Sequence, residues 1–447
     1  MTVRIFNDAG AGREFILAER DMRAAELSPR MREGVQRVFG EDLTAEEVVT
    51  RILRDVREQG DSAVRHYTRE IDGAGLDALR VSDDETSDAL ATVPQDIQDA
   101  LRFAAERIRS FHEKQHIDSW IDFSPEGALG QMIRPLERVG LYAPGGTAPY
   151  PSSLLMTAIP ARVAGVREIV ICAPPERNGR IAPITAVAAH IAGATHVFKI
   201  GGAQAIGAMA FGTNSVPKVD KILGPGNIFV VLAKRQVYGE VAIDALPGPT
   251  ETLLIADHTA DPGLCAADML AQAEHDQMAS AILVTTSAEL AQRVNAELEK
   301  QLTPLSRESV ARESLVHNGA IIVVNDLPEA FDLSNAYAPE HLCLLIEKPW
   351  DWISSVEHAG GIFIGESSPE VIGDYTAGPS HVMPTGGTAR FSSPVNISDF
   401  VKVISVIGLN EEGLRKVGPA AATVARAEGL TAHAAAVERR LERLRPD

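Results

Sequence analysis

The hydrophobic pattern changes character along the chain. From Ser28 to about Ile117, apolar residues recur at helical spacing among charged ones, as in ALRFAAERIRSFHEKQ, which predicts amphipathic helices. From Glu137 onwards, Gly- and Pro-rich loops alternate with short β-branched runs and Ala-rich helical segments. Apolar runs of four to six residues between helices are typical of a parallel sheet that is covered on both faces.

This alternation runs twice. The first series predicts strands in REIVICA, THVFKI, KVDKIL and VAIDAL, and the second restarts at ETLLIAD and continues through ASAILVTTS, GAIIVVND, HLCLLIE and GGIFIGE. The sequence therefore predicts an α/β fold of two doubly wound, Rossmann-like parallel-sheet units, with an irregular N-terminal arm and a small, mostly helical C-terminal tail. The predicted boundaries are 1–25 for the arm, 26–141 with 252–394 for the first unit, 142–251 for the second, and 395–447 for the tail.

Composition narrows the class of partner. The chain has 42 Lys and Arg against 61 Asp and Glu, a net charge of −19 that opposes binding to nucleic acid or to an anionic membrane. Three cysteines in apolar contexts (Cys172, Cys265 and Cys343) indicate small buried side chains rather than a disulfide framework. The N-terminus lacks the apolar core of a signal peptide, and Pro, Gly and Ser interrupt every long uncharged stretch, so we expect a cytoplasmic protein.

The first series of strands invites a nucleotide, because open parallel sheets bind ligands beyond the carboxyl ends of their strands. The pattern G-x-G-x-x-G follows none of the predicted strands. The turns KIGGAQAIG and LGPGN could bring backbone N–H groups to a pyrophosphate, or they could be tight connections only.

Several polar side chains suit a metal ion. Gln272 and His275 are spaced i, i+3 on a predicted helix, Asp374 lies in a predicted long loop, and Glu428 and His433 lie five apart on a predicted tail helix. Each one alone could equally be a surface or capping residue. Together, Gln272, His275, Asp374 and His433 offer nitrogen and oxygen donors without a thiolate, a set that suits Zn²⁺ or Mn²⁺ in an open catalytic site.

Acid–base chemistry is indicated by a second group. Glu340 and His341 adjoin at the predicted start of the strand HLCLLIE, where a carboxylate and an imidazole would share one site, unless the pair is simply part of a solvated loop. His381 lies in the same long loop as the candidate metal ligand of GDYTAGPSH. Long loops without secondary structure are usually functional or disordered, and the composition of this one argues against disorder.

A series of motifs along the sequence resembles those of a known family. The motifs RVGLYAPGGTAPYPSSLLMTAIPA, GGAQAIGAMAFGT, VDKILGPGN, AKRQVYGEVAID, GPTE, QAEHD, APEHL, GDYTAGPSHVMPTGGTARFSS and GLTAHAAAV, in this order, strongly resemble the histidinol dehydrogenases. The resemblance covers about Arg134 to Arg440 and is weaker before it. It implies an enzyme that oxidises L-histidinol to L-histidine through L-histidinal, the last steps of histidine biosynthesis, with two NAD⁺ used in sequence.

The resemblance also implies roles for individual residues. It implies one Zn²⁺ per subunit, held by Gln272, His275, Asp374 and His433. It implies the catalytic pair Glu340 and His341. It implies substrate contacts from these zinc ligands and His341, and also from Thr250, His381 and Glu428. It implies NAD contacts from Tyr142, Gln204 and Asn227.

Two further expectations follow from the family. Its members are homodimers in which the tail of one chain completes the site of the other, so Glu428 and His433 are expected to act across the subunit boundary. The motif GPTE carries Thr250 where the family more often has Ser. The hydroxyl is kept, and the extra methyl group narrows the pocket.

Three other functions remain as alternatives. A related zinc- and NAD-dependent dehydrogenase could oxidise another small alcohol, such as a sulfonated diol, although GPSH, Glu428 and His433 favour an amino alcohol that carries an imidazole. A zinc hydrolase could use the same donors to activate water and would need no nucleotide. A metal-dependent binding protein is the third alternative, but every position of catalytic type is filled.

Overall fold

The secondary structure follows the predicted alternation of strands and helices. The structure is a computed structural model and describes residues 3–18, 27, 29–145 and 149–445. The strands of this part of the chain are β1 (Arg4–Phe6), β2 (Trp120–Ser124), β3 (Gly127–Pro135), β4 (Arg138–Tyr142), β5 (Glu168–Ala173), β6 (His196–Lys199), β7 (Lys221–Leu223), β8 (Ala242–Ile243), β9 (Glu251–Ala256), β10 (Ser280–Thr285), β11 (Ala320–Val323), β12 (His341–Leu345), β13 (Gly361–Ile364) and β14 (Val401–Leu409).

The helices alternate with these strands through most of the chain. They are α1 (Ala9–Leu17), α2 (Pro29–Phe39), α3 (Ala45–Gln59), α4 (Asp61–Tyr67), α5 (Asp83–Thr92), α6 (Gln95–His112), α7 (Pro151–Val163), α8 (Pro183–Ile191), α9 (Gly202–Phe211), α10 (Ile228–Val237), α11 (Pro262–Ala273), α12 (Ala288–Leu302), α13 (Glu308–Asn318), α14 (Leu327–Tyr337), α15 (Glu370–Tyr375), α16 (Glu411–Ala427) and α17 (Thr431–Glu442). In the described residues, no helix is both long and apolar enough to cross a membrane.

Two parallel sheets confirm the predicted doubly wound architecture. The first sheet, sheet A, has the strand order β1-β11-β10-β9-β12-β13, and the second, sheet B, has the order β6-β5-β4-β7-β8. All neighbouring strands in both sheets are parallel. In sheet B the chain starts in the middle at β4, winds to one side and then crosses to the other, and strands β9 to β13 of sheet A follow the same course, with β1 added at the edge. This leaves a switch point between β9 and β12 in sheet A and between β4 and β7 in sheet B.

Apolar residues of the strands form the cores on both faces of sheet A. One face packs on α11, α12 and α13 through residues such as Leu254, Leu283 and Met269, and the other packs on α14 through Leu253, Ile282 and Phe331. This double burial explains why the strands read as continuous apolar runs rather than as alternating ones.

The N-terminal helices join the core of sheet B. Helices α2, α3 and α4 share one hydrophobic cluster with residues of β5, β6, α9 and α10. The prediction grouped 26–141 with 252–394, whereas this cluster associates much of 29–67 with the sheet of 138–243. Polar helices give no sign in the sequence of which sheet they will cover, because either sheet offers an apolar face.

The predicted N-terminal arm is not irregular where the structure describes it. Arg4–Phe6 form β1, which pairs in parallel with Ala320–Ile322 and adds an outer strand to sheet A. The next residues form α1, which begins at the cap residue Asp8. Residues 1–2 and 19–25 of the predicted arm lie outside the described part of the chain.

The chain divides into two compact units. Unit 1 comprises 1–115 and 137–399, and unit 2 comprises 116–136 and 400–447. Unit 2 contains the antiparallel sheet β14-β3-β2 and the helix pair α16 and α17. The predicted helical tail therefore also holds a nine-residue strand, β14, which pairs along its whole length with β3.

Candidate active site

The Glu340-His341 pair opens strand β12, as predicted. Helix α14 ends at Tyr337, and Ala338 adopts a left-handed conformation with φ +52° while its N–H donates to the Ser334 carbonyl at 2.7 Å. The reversed backbone lets the chain turn into sheet A within a few residues, since a left-handed residue just after a helix ends it sharply. Both functional side chains are thereby fixed at the amino end of the strand.

Glu340 is a buried carboxyl group held by two donors. The Thr250 hydroxyl donates to Glu340 Oε2 at 2.6 Å, and the Glu251 backbone N–H donates to the same oxygen at 3.0 Å. Burial raises the pKa of Glu340 above its usual value, against the opposing effect of His341 and of these hydrogen bonds. Thr250, predicted as a substrate contact, thus also contacts Glu340 of the predicted catalytic pair.

His341 is fixed in one tautomer. Its Nδ1 lies 3.1 Å from the Glu251 carbonyl oxygen, which can only accept, so Nδ1 carries a proton. Nε2 is buried, lies 3.8 Å from Asp374 Oδ1 and has no hydrogen-bond partner among the described residues. Burial disfavours the protonated ring, but Glu340, Asp374 and Glu370 outweigh it and raise the pKa of His341 to about 10.

Asp374 connects the pair to two more histidines. Burial disfavours ionisation of Asp374, but His341, His381 and His275 outweigh it and lower the pKa of this carboxyl group. His381 donates from Nδ1 to the Asp374 carbonyl at 2.7 Å, and burial lowers the pKa of the His381 ring. The side chains of Asp374, His275, His341 and His381 thus lie within electrostatic reach of one another.

Two local elements differ from the prediction. Asp374 lies in the last turn of the short helix α15, not in a loop. Helix α11 ends at Ala273, so His275 lies in the turn after it, where its N–H donates to the Gln272 carbonyl at 3.2 Å. Arg307 holds this turn by donating to the carbonyl oxygens of Glu274 and His275 at 2.8 and 3.3 Å.

The Gln272 amide is buried between the Glu340-His341 pair and a further carboxylate. With its nitrogen towards Glu370, the amide donates to Glu370 Oε1 at 3.1 Å, and its oxygen accepts from the Glu251 N–H at 2.7 Å. The Thr250 hydroxyl also lies 2.6 Å from this amide oxygen, and its single proton is shared between Gln272 and Glu340 Oε2. The opposite orientation would set the amide nitrogen against the Glu251 N–H and the oxygen against Glu370. Hydrogen bonding therefore assigns the first orientation.

Negative charge dominates this region. Asp268, Glu340, Glu370 and Asp374 influence one another electrostatically, and burial raises the pKa of Glu370 to about 8 and that of Asp268 to about 6. In the described chain, the ion pairs of Glu340 and Asp374 are with histidines, and no Lys or Arg pairs with Glu370 or Asp268. Such a group of carboxyls favours a bound cation.

The donor set of this chain fits part of a metal site. Gln272, His275 and Asp374 come together in unit 1 and supply oxygen and nitrogen donors that suit zinc. Within the described residues, no three Asp, Glu, His or Cys side chains are arranged to hold a metal ion. Gln272 is not of these types, so a further ligand of another origin would complete the set.

The two tail residues belong to unit 2 and not to one helix. Glu428 follows the end of α16, Gly429 breaks the helix with φ +78°, and His433 lies in the first turn of α17. Both Glu428 and His433 are exposed. The break occurs because glycine readily adopts the left-handed backbone that ends a helix.

The predicted nucleotide contacts lie at the carboxyl edge of sheet B. Tyr142 ends β4, and its hydroxyl accepts from the Gly202 N–H at 3.1 Å at the start of α9. Gln204 is fully buried, donates to Asp72 Oδ2 at 3.3 Å and leaves its Oε1 without a partner in the described residues. Asn227 caps α10 just after β7. An orphaned buried acceptor beside a helix N-terminus fits a nucleotide that supplies a donor.

The two sheet edges meet through His381. Helix α7 follows the carboxyl end of β4, and the Ser153 hydroxyl in its first turn lies 3.0 Å from His381 Nε2. Ser380 donates to the Met156 carbonyl of the same helix at 3.0 Å. A ligand at the end of β4 would therefore lie next to the His381-Asp374 side of the acid–base site.

The acid–base site lies at the amino edge of sheet A, opposite to the usual position in parallel sheets. At the carboxyl edge, Asp257 follows β9 and accepts from the Glu347 N–H after β12 at 2.8 Å and from the Thr259 N–H at 2.9 Å. The Asp257 carboxylate thus ties together the two loops at the switch point and occupies the place where a ligand would bind.

Four polar residues of the site were not predicted from the sequence. They are Asp72, Ser153, Asp268 and Glu370. Two of them had a usable signal, since Asp268 precedes Gln272 and Glu370 precedes Asp374 by four residues, the spacing that places side chains on one helical face.

Two Rossmann-like sheets and a buried Glu-His pair define an α/β enzyme with an acid–base site. The histidinol dehydrogenase family model matches residues 36–441. The chain is 55% identical to the histidinol dehydrogenase of Deinococcus radiodurans (91% of this chain, 93% of the relative) and 51% identical to that of Dehalococcoides mccartyi (95% and 97%). The crystal structure of histidinol dehydrogenase from Elizabethkingia anophelis superposes with a TM-score of 0.91 at 37% identity over 99% of both chains. The chain belongs to the histidinol dehydrogenase family and is an oxidoreductase of histidine biosynthesis.

Proposed function

We propose that this enzyme oxidises L-histidinol to L-histidine through L-histidinal, with Zn²⁺ and NAD⁺ as cofactors. The observation that carries the proposal is the convergence of Gln272, His275 and Asp374 beside Glu340 and His341 at one sheet edge. These residues come from separate segments of the chain and match the ligand and catalytic positions that the resemblance implies.

The metal-binding residues would be Gln272, His275 and Asp374 of one chain and His433 of the tail. When bound, Zn²⁺ would hold the amine and imidazole nitrogens of histidinol as a chelate and so fix the carbinol carbon. The carboxylates around this position favour a divalent cation over an uncharged occupant.

His341 would accept the hydroxyl proton in the first oxidation as the neutral ring, a form that Zn²⁺ held by Asp374 would favour by offsetting the carboxylates that raise its pKa. Its Nδ1 proton is committed to the Glu251 carbonyl, so Nε2 is the atom that takes up the substrate proton. The absence of a hydrogen-bond partner for Nε2 within the described residues leaves this nitrogen available to a ligand. NAD⁺, when bound, accepts the hydride at each of the two oxidations.

Glu340 would deprotonate the water that attacks the aldehyde. A buried carboxyl group whose pKa is raised above its usual value is a better base than a solvated one. Once the neighbouring His341 has released its first proton to water, its Nε2 can accept the hydroxyl proton of the hydrate in the second oxidation. Adjacent placement lets both bases reach the same carbon without release of the aldehyde.

NAD⁺ is proposed to bind at the carboxyl edge of sheet B. Tyr142, Gln204 and Asn227 lie at the ends of β4, β6 and β7, around the switch point of that sheet. The contact between Ser153 and His381 supports this placement, because it joins that edge to the acid–base site.

We further propose a homodimer in which the tail of one chain completes the site of the other. Unit 2 exposes large apolar side chains on one face of its sheet, where Ile407 (75% exposed) lies opposite Leu129 (52% exposed), and Val424 is 57% exposed on α16. Contiguous apolar surfaces of this kind mark interaction sites. A second copy would cover them and could bring the exposed Glu428 and His433 to the partner's metal site.

A mixing experiment tests the shared site. His341→Asn and His433→Asn homodimers are both expected to be inactive. A heterodimer of the two variants contains one site with both histidines intact if the tail acts in trans, so co-expression should restore activity. If co-expressed chains form heterodimers without activity, the tail does not complete the partner's site.

The overall function is tested by incubating the purified enzyme with histidinol and NAD⁺. We expect NADH absorbance to rise by two equivalents per histidinol, with histidine as the product detected by mass spectrometry. Flat absorbance would support a hydrolase, and faster turnover of a sulfonated diol would support the related alcohol dehydrogenase. We also propose a cytoplasmic location, which the three free, buried cysteines support.

A further inference from the structure

Glu370 is a buried carboxylate that the proposed mechanism does not use. Its side chain is 1% exposed on the first turn of α15, four residues before Asp374. Its Oε2 has no hydrogen-bond partner in the described part of the chain, and no Lys or Arg there forms an ion pair with it. A carboxyl group is rarely buried without a cation, because desolvation costs several kcal/mol, on the order of the values for unpaired buried charges.

One contact of Glu370 is with a proposed metal ligand, and Thr252 is a second polar neighbour. The Gln272 amide nitrogen donates to Glu370 Oε1 at 3.1 Å, while the amide oxygen faces the Glu251 N–H at 2.7 Å. An amide binds metal ions through its oxygen, which keeps a second lone pair when the shared Thr250 proton lies towards Glu340. Without an acceptor at the Glu370 position, only the Glu251 N–H would favour this orientation of the amide.

We propose that Glu370 is a positioning residue for metal binding, which holds the Gln272 amide nitrogen so that the amide oxygen is presented to the cation. This inference rests on the zinc site proposed above. Residues that orient metal ligands typically change metal affinity by about 10- to 100-fold when they are removed. The same carboxylate adds negative charge near the site, so the test must separate orientation from charge.

Four variants of the full-length enzyme make this separation. Glu370→Ala removes the acceptor, Glu370→Gln keeps an acceptor oxygen but removes the charge, and Asp268→Asn neutralises a neighbouring carboxyl group without removing the contact to Gln272. The fourth variant is Gln272→Ala. The dissociation constant for Zn²⁺ is measured by competition with a chromogenic chelator, so no readout depends on turnover.

We expect Glu370→Ala to weaken zinc binding about 10- to 100-fold, and Glu370→Gln and Asp268→Asn to bind close to the wild type. A double variant of Glu370→Ala and Gln272→Ala should bind zinc no more weakly than Gln272→Ala alone, because Glu370 acts through Gln272. A purely structural role for Glu370 would instead make the two effects add.

Three results would overturn the inference. They are unchanged zinc affinity of Glu370→Ala, equal losses in Glu370→Ala and Glu370→Gln, and additivity in the double variant. If Glu370→Ala does not fold, Glu370→Asp replaces it, because the shorter carboxylate cannot reach the Gln272 nitrogen and the same loss is expected. Failure of the wild-type enzyme to bind zinc would refute the proposed cofactor. If the wild type binds zinc and Glu370→Ala binds it equally tightly, only the role of Glu370 is refuted.

Discussion

The buried ion pair of Lys234 and Asp244 lies beside the carboxyl edge of sheet B, where NAD⁺ is proposed to bind. It offers a quantitative test of what stabilises that edge. Lys234 is completely buried on α10, forms an ion pair with Asp244 and donates to the Gly224 carbonyl at 3.0 Å. Asp244 accepts from the Gly224 N–H at 2.8 Å. Both backbone groups of Gly224 are therefore fixed by one ion pair, at a position with φ +115° where a Cβ would lie 2.3 Å from the Tyr142 carbonyl oxygen.

Replacing Lys234 with Met keeps the apolar stem and removes the ammonium group. The change leaves the Asp244 carboxylate, whose side chain is 4% exposed, as an uncompensated buried charge and removes the donor to the Gly224 carbonyl. Breaking one partner of a buried pair costs about 3–5 kcal/mol in the free energy of unfolding. Asp244 still accepts from the N–H groups of Gly224 and Ala245 at 2.8 and 2.7 Å, so we expect the lower half of this range.

Urea denaturation followed by circular dichroism measures this loss. Lys221→Met is the matched control, because Lys221 at the start of β7 pairs with Asp399 at 2.7 Å, but both side chains are partly exposed to water. We expect a much smaller loss for the control. A loss below about 1 kcal/mol in Lys234→Met would refute the claim that the pair compensates a buried charge. The KM for NAD⁺ should rise more than the KM for histidinol, because the Gly224 turn leads directly to Asn227.

Four further outcomes are expected. His341→Asn should lower aldehyde formation by about 10²- to 10⁴-fold with normal zinc content, and an equal loss of zinc would make His341 a ligand instead. Glu340→Gln should still produce histidinal, measured with an aldehyde trap, but should stall before histidine, whereas unchanged histidine formation would remove Glu340 from water activation. Chelation should abolish activity and added Zn²⁺ or Mn²⁺ should restore it, and full activity of the metal-free enzyme would end the metal assignment. Burial raises the pKa of Asp72 to about 7, so the folded state binds this proton more tightly than the unfolded chain does. Relative to Asp72→Asn, the wild type should therefore lose stability as the pH rises towards about 7 and stay level above it. The same difference in the free energy of unfolding between wild type and Asp72→Asn at every pH, measured by urea denaturation, would contradict this.

The sheets could be predicted from the sequence because their signal is local. Runs such as GAIIVVND and HLCLLIE are apolar throughout, since both faces of each parallel strand are covered. The strand β14 was missed for the opposite reason. Its sequence VKVISVIGL is mostly exposed in this chain, so no alternation of polar and apolar residues indicates a strand.

The candidate site was predicted only in part, because sequence motifs show which residues are present and not which of them are in contact in the fold. Glu340 and His341 were placed correctly at the start of β12, where a helix ends and a strand begins within a few residues. Glu370 was missed because α15 was predicted as part of a loop, so its four-residue spacing from Asp374 was not read as one face of a helix. The partnership of Gln272 with Glu370 joins segments about a hundred residues apart, and only the fold brings such segments together.

The hydrogen bonds of Asp257 between the two loops at the carboxyl edge of sheet A have a practical consequence. The loops there are joined by these hydrogen bonds and lie at the opposite end of the strands from the proposed acid–base site. His258 is exposed in this region. A fluorophore or a surface tether attached at that residue would label or immobilise the molecule. The proposed binding sites for substrate and nucleotide would remain accessible.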